Sequence, residues 1–304
     1  MRLGVDLGGT KIAAAVLDDQ GQVVWEQRVA TPRHDYDATL RSIQALVDSG
    51  ERASGTACTV GIGIPGAVSP ATGLVKNANS TWLIGRPLQA DLEQMLHRSV
   101  RLANDANCLA MSEATDGAGA SARVVFGVIL GTGTGGGIAV DGRVVTGANA
   151  IAGEWGHNSL PWPDEDERPG PSCYCGRRGC IETFLSGPAL AADYRRRGGG
   201  EASGEVIVQR AGEGEPLAGL TIRVWTTRLA KALASVVNVL DPDVIVVGGG
   251  LSRIVSLYAD LPAQWGAWVF SDDVRTPIVP AKYGDASGVR GAAWLWDKPV
   301  LLSS

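Results

Sequence analysis

The chain has 304 residues, 45% of them hydrophobic and 19% charged, with a formal net charge of −5 at pH 7. That length holds two domains and a well-buried core, and the acidic balance argues against nucleic acid or an anionic membrane surface as a partner. No apolar run reaches about 18 residues, Asp6 interrupts any signal-peptide stretch, and five cysteines, three of them grouped, suit a reducing cytoplasm.

In chain order, Leu3–Leu7 reads as a buried strand running into Gly8-Gly9-Thr10-Lys11. An apolar run Ile12–Leu17, a turn at Asp18-Asp19-Gln20-Gly21 and an alternating strand Gln22–Val29 follow. Glycines between strands let successive N–H groups face one side as an anion-binding hollow, to which Thr10 adds a hydroxyl and Lys11 a cation. No helix follows, so this is not a Walker A loop; an ordinary hairpin is the alternative for this unit taken alone. Helical spacing covers Tyr36–Ser49. The strand Thr59–Ile64 runs into a formal G-x-G-x-x-G, Gly61 to Gly66, but Pro65 and the lack of a following helix argue against a dinucleotide site. Lys76-Asn77-Ala78-Asn79-Ser80-Thr81-Trp82 is a polar loop with one large aromatic, either a wall of a sugar pocket or a surface turn.

A helix Leu88–Leu96 and a short strand Val100–Ala103 deliver Asn104-Asp105-Ala106-Asn107 to an apolar helix, Cys108–Ala114. The junction is either a simple N-cap or a site where Asp105 serves as general base, since strand ends of open α/β sheets face the ligand crevice. Val124–Leu130 then opens a second glycine unit, Gly131-Thr132-Gly133-Thr134-Gly135-Gly136-Gly137, followed by a strand, an Asp141-Gly142 turn and another strand. A dinucleotide reading fails there because no helix starts after the glycines. Side by side, the two units share one order: strand, glycine turn, strand, polar turn, strand. This internal repeat predicts an α/β protein of two domains with one topology, whose two hollows clamp a polyphosphate.

Between Gly153 and Glu182 lie one of the three histidines and three of the five cysteines. His157, Cys173, Cys175 and Cys180 form a Cys₃His set suited to structural zinc; unliganded thiols are the alternative, and a disulfide, disfavoured by a reducing compartment, is the weaker rival. The C-x-C-x₄-C spacing is uncommon, and Gly176 and Gly179 allow the tight turns it needs. Glu154 and Glu182 bracket the set and are expected to face something polar. Helices are expected over Pro188–Arg197, Thr221–Leu240 and Ser287–Trp296, and a strand Val244–Val247 runs into Gly248-Gly249-Gly250, where a flat group such as adenine can approach.

The motifs L-G-V-D-L-G-G-T-K, N-D-A-N, G-T-G-x-G-G-G, E-W-G-H, C-x-C-G-x-x-G-C-x-E and D-P-D-V-I-V-x-G-G-G occur in this order and resemble the ROK family of bacterial sugar kinases, repressors and open reading frames. The stretches K-N-A-N-S-T-W, R-L-A-N-D-A-N-C-L-A and S-G-V-R-G-A-A-W-L-W look like its fructokinase/mannokinase branch. The resemblance implies an actin-like (RNase H-like) ATPase fold with duplicated β-β-β/α units and an interdomain cleft. A small N-terminal α/β domain over residues 1–117, with a C-terminal helix of about 287–304 packing back on it, would face a larger α/β domain over 118–286 that carries the zinc loop.

The implied activity is ATP-dependent phosphorylation of the 6-hydroxyl of fructose, or mannose, with Asp105 as base. Asn79, Asn104, Asp105, Glu154, His157 and Glu182 are the implied sugar contacts. The implied nucleotide contacts are Gly4, Val5, Asp6, Leu7, Gly8, Gly9, Thr10, Lys11, Gly131, Thr132, Gly133, Gly248 and Gly249. Zinc on His157, Cys173, Cys175 and Cys180 would fix His157 so that its second nitrogen addresses the sugar. Mg²⁺ would accompany ATP, oriented by Asp6. A cytoplasmic homodimer is expected. Rival readings are a kinase for glucose, N-acetylglucosamine or N-acetylmannosamine, a non-catalytic sugar sensor, and a repressor. The last is expected to carry a DNA-binding domain ahead of the first glycine turn, which here begins at Gly8.

Overall fold

The structure, a computed structural model, describes residues 1–296. The first glycine unit folds as an antiparallel meander of β1 (Arg2–Leu7), β2 (Lys11–Leu17) and β3 (Val23–Ala30). β4 (Thr59–Ile64) joins β1 in parallel. After a short ribbon of β5 (Ala67–Val68) and β6 (Val75–Lys76), β7 (Val100–Asn104) joins β4 in parallel, giving the order β3-β2-β1-β4-β7. The second half repeats the plan. β8 (Val124–Leu130), β9 (Thr134–Val140) and β10 (Arg143–Val144) form the meander, and β11 (Val244–Gly248) and β12 (Ile278–Pro280) add in parallel, in the order β10-β9-β8-β11-β12. Strand order and strand sense agree between the halves, so the repeat legible in the sequence is a repeat in space.

Parallel additions need crossovers, and helices supply them. α1 (Tyr36–Ser54) starts where the Asp35 carboxylate accepts from Ala38 N at 2.9 Å, and it stops at Gly55, whose φ of 68° is the left-handed conformation of a helix end. It runs past the expected end at Ser49 and buries Leu40, Ile43, Leu46 and Val47. α2 (Leu88–Leu96) precedes β7, and α3 (Asp105–Thr115) follows it. The second half contributes α4 (Glu182–Leu185), α5 (Gly187–Arg196), α6 (Gly204–Gly212), α7 (Pro216–Leu240), α8 (Val255–Asp260), α9 (Pro262–Trp265) and α10 (Ser287–Ala293). α7 begins earlier than expected, at Pro216, because proline fits a first turn where its missing N–H costs nothing.

Two helices exchange partners. α3 comes from the first half yet lies on the second sheet, where Ala110 and Ala114 pack with Val125, Ala139, Val244 and Val246. α10 comes from the second half and lies on the first sheet. There a Cβ at Gly4 would sit 2.0 Å from Val289 O, and one at Gly61 1.9 Å from Ala292 O, so the strands beneath α10 need glycine. The two helices also touch each other. Between them, the fully buried Glu113 accepts from Ala118 N at 2.7 Å, Lys282 N at 3.1 Å and Ser287 Oγ at 2.9 Å, tying together both crossings of the chain between the halves. Residues 297–304 of the expected C-terminal helix lie outside the described residues. Among the described residues, no helix is long and apolar enough to cross a membrane.

Candidate active site

β7 ends at Asn104 and α3 begins at Asp105, which sets this junction at the end of a parallel strand facing the groove between the sheets. The N-cap reading of the junction holds, and Asp105 lines the groove. Asn104 is the N-cap, its Oδ1 accepting from Ala106 N at 2.9 Å while its Nδ2 donates to Gly66 O at 3.2 Å. One hydrogen of that amide is committed to backbone, which fixes the side chain where it lines the groove beside Asp105. Asp105 Oδ1 also accepts from Ala106 N, at 2.8 Å. Protein surrounds the Asp105 carboxyl on most sides, and this burial, followed by the negative charge of Asp6, pushes its pKa up to about 6. Asp6 is itself raised by burial, with the Lys11 ammonium working in the opposite direction.

The groove, about 220 Å³, brings Asn79, Asn104, Asp105, Glu154, His157 and Glu182 to one place beside the Gly131–Gly133 turn. Glu182 opens α4 and accepts from Thr134 N at 2.9 Å, which ties it to the second glycine unit. The Glu154 carboxylate has no protein hydrogen-bond partner among the described residues. Of the loop expected either to line a sugar pocket or to form a surface turn, Asn77 also reaches the wall, with a φ of 57°, a conformation asparagine tolerates better than most residues. Tyr174, between two cysteines of the Cys₃His set, lines the wall as well and gave no sequence signal of its own.

The first glycine turn is closed by Gly8 N donating to Lys11 O at 3.0 Å and braced by Thr31 Oγ1 donating to Gly8 O at 2.7 Å. Gly9, Thr10 and Lys11 are exposed, whereas Gly4, Val5 and Leu7 are buried in the strand core. Gly4, Val5 and Leu7 therefore support the turn from beneath. On the other side, Gly131 N donates to Gly133 O at 3.0 Å. A second cavity of about 400 Å³ shares Gly131 and Thr132 with the groove and is walled by Gly187, Pro188, Ser203, Glu205, Gly250 and Leu251. Gly248 and Gly249 stand behind this wall. Gly248 packs on Leu109, and Gly249, at φ 84°, lies against Leu130 O. Of this stretch, Gly250 and Leu251 are the residues that line the cavity. Ser186 and Ser203 accept from Ala189 N and Val206 N as N-caps of α5 and α6, a sequence signal that marks these helix starts.

The thiols of Cys173, Cys175 and Cys180 and one ring nitrogen of His157 all lie within 4.8 Å of one another. Cys173 Sγ is 3.6 Å from His157 Nδ1, and Cys175 Sγ is 3.6 Å from Cys180 Sγ. Ligands on a tetrahedral zinc, with bonds of about 2.0–2.3 Å, stand about 3.5–3.8 Å apart, so the donor set fits this ion in both type and spacing. The cysteines are free of disulfides. Arg177, through its backbone N–H and then its side chain, holds the Cys175 thiol down to about 6, which favours the thiolate that a metal takes. The other nitrogen of His157 has a partner within the protein: Nε2 lies 2.9 Å from Tyr174 Oη, beside the groove that both residues line. Burial, then the charges of Glu182 and Glu154, push the Tyr174 phenol up to about 12, so it stays protonated.

Residues 2–299 match the ROK family. The chain is 41% identical over 299 residues to an N-acetyl-D-glucosamine kinase of Yersinia pseudotuberculosis, covering 97% of this chain and 98% of that protein. Among solved structures it is similar to the ROK hexokinase from Thermus thermophilus, with a TM-score of 0.86 and 29% identity over 97% of each chain. It is also similar to a ROK family glucokinase from Streptomyces griseus in complex with glucose and AMPPNP, with a TM-score of 0.79 and 30% identity over 96% of this chain and 97% of that one. Two sheets of one topology, a groove with a poised carboxylate, a Cys₃His cluster and a match along almost the whole length agree, and the chain belongs to the ROK family.

Proposed function

We propose that the protein is an ATP-dependent hexose kinase that phosphorylates the 6-hydroxyl of fructose, with mannose as a second substrate. The observation that carries the kinase reading is Asp105, a carboxyl with a pKa of about 6 in a polar groove flanked by two backbone turns suited to phosphates. A base poised near the working pH is effective in proton transfer. Asp105 accepts the proton of the 6-hydroxyl as that oxygen bonds to the γ-phosphorus and the bond to the ADP oxygen breaks. The N–H groups of Gly9 and Thr10 and of Thr132 and Gly133, with the Lys11 ammonium, orient the phosphates. Glu154, Glu182 and Asn79 hold sugar hydroxyls. Mg²⁺, when bound with ATP, would neutralise phosphate charge, and Asp6 is the residue that would hold it. Zinc on His157, Cys173, Cys175 and Cys180 would be structural. The reading includes a cytoplasmic homodimer.

Two observations support fructose within this class. The loop holding Asn77 and Asn79, the segment around Asp105 and the α10 segment resemble the fructokinase/mannokinase branch. Among the described residues the groove is also walled by amides, carboxylates, threonines, backbone and the polar rings of His157 and Tyr174, with Pro65 and Ile129 as its aliphatic side chains, which suits a sugar bearing hydroxyls better than one bearing an acetyl methyl. A second reading, an N-acetylglucosamine kinase, is favoured by the 41% identity to proteins of that name. ADP release with Mg-ATP across fructose, mannose, glucose, N-acetylglucosamine and N-acetylmannosamine tests both. Turnover led by fructose supports the first reading, turnover led by N-acetylglucosamine replaces it with the second, and no turnover on any hexose overturns the kinase reading.

A further inference from the structure

Tyr174 occupies an unusual position. Its two neighbours in sequence, Cys173 and Cys175, both turn their thiols toward the metal position, and its own side chain, 73% exposed, lines the sugar groove. The ring stands edge-on to His157, with centroids 5.1 Å apart and planes at 86°, and Oη lies 2.9 Å from His157 Nε2. The tautomer of His157 follows from its other side. Nδ1 faces Cys173 Sγ at 3.6 Å within the ligand cluster, and a metal held there would take its lone pair and place the proton on Nε2. Nε2–H then donates to Tyr174 Oη. The phenol has no other partner among the described residues, so its own proton is left for whatever enters the groove.

We infer that Tyr174 is a specificity-determining residue of the sugar site, whose hydroxyl, oriented by His157, donates a hydrogen bond to a hydroxyl of the bound hexose. The inference rests on the kinase reading above and deepens it. His157 becomes a positioning residue that acts on the sugar through Tyr174, and the metal cluster becomes the anchor that sets the angle of both rings. A donor held this way rewards a sugar with an acceptor at one place and penalises a sugar without one, because the His157–Tyr174 pair would then be covered and unmatched.

The test is Tyr174→Phe in the full-length, zinc-loaded protein, assayed over the five-hexose panel, with calorimetric hexose binding to Asp105→Asn and to Asp105→Asn/Tyr174→Phe. One neutral hydrogen bond corresponds to roughly a three- to ten-fold effect. The expected result is a loss of that size in kcat/KM and in affinity for the preferred hexose, carried by KM, with KM for ATP and zinc content kept and with preference among hexoses narrowed. Equal affinity for every hexose with and without the hydroxyl overturns the inference while leaving the kinase reading intact. Loss of zinc in Tyr174→Phe would assign the residue to holding the loop and also overturns it. Absence of hexose turnover in the unmodified protein removes the kinase reading and this inference together.

Discussion

Replacing Asp105 by asparagine separates function from stability in opposite directions. The variant keeps the shape and can still accept from Ala106 N, but it cannot take a proton, so turnover should fall by at least ~10²-fold while hexose binding persists. Stability should rise. The Asp105 pKa is raised from 3.8 to about 6 in the fold, so the folded state holds its proton more tightly than the unfolded chain does. A raised pKa contributes stability at low pH that is lost as pH climbs through the folded value, and above pH 6 the buried charge costs about 3 kcal/mol relative to a neutral side chain. Asp105→Asn removes that cost together with repulsion from Asp6. Urea unfolding from pH 3.5 to 8 should show little difference between the proteins below about pH 4. The gap should open between pH 4 and 6 and reach about 3 kcal/mol above it, on the order of 5 °C in Tm. A variant no more stable than the parent at pH 7.5, or a gap independent of pH, would refute the electrostatic account of this site.

With a basic Asp105 required for turnover, kcat/KM for the preferred hexose should climb with pH through about 6 and level off above it; a flat profile between pH 5 and 7 would contradict the assignment. Cys175→Ser should lower zinc content and raise KM for hexose before KM for ATP, and metal analysis showing full zinc would take Cys175 out of the ligand set. Glu113→Ala strands two backbone N–H groups and the Ser287 hydroxyl in a buried place, so it should destabilise by at least about 3 kcal/mol in urea unfolding. A loss under about 1 kcal/mol would show that Glu113 does not tie the two crossings together.

The architecture was legible because both glycine units obey a local grammar: apolar runs of strand length broken by Gly-rich and Asp-Gly turns, repeated in the same order. The place of Asp105 at the groove was legible for a similar reason, since a strand end followed at once by an apolar helix sets the residue at the ligand-facing edge of the sheet. What escaped was set by packing. Gly4 belongs to the same motif as Gly8, yet its missing side chain serves the approach of α10, contributed from the far end of the chain, and nothing local distinguishes the two glycines. Gly248 and Gly249 carry the same ambiguity, resolved only when Leu109 and Leu130 are seen against them. Tyr174 escaped because a side chain between two ligands gives no periodic signal, and its groove-facing direction follows from both thiols turning the other way.

The coupling between metal cluster and sugar site follows from how the segments around them are joined. Glu154 lies three residues before His157, and Glu182 two residues after Cys180, so each groove carboxylate is tethered to a ligand by less than one helical turn. The two ligand segments are themselves paired: Leu160 N donates to Gly179 O and Ile181 N to Asn158 O, each at about 2.8–2.9 Å, with Ser159 facing Cys180 across an antiparallel bridge. A cation drawing His157 and Cys180 together therefore fixes the register of this pairing, and the register fixes the separation of Glu154 and Glu182. The first glycine turn has no such dependence, because it is closed within its own sheet by Lys11 and Thr31. Loss of the metal should act on the sugar through geometry two and three residues away and on the nucleotide only through Glu182, whose carboxylate holds Thr134 N beside the second turn. On the kinase reading, that contact is one place where the sugar wall and the second glycine turn meet in the protein's own hydrogen bonding.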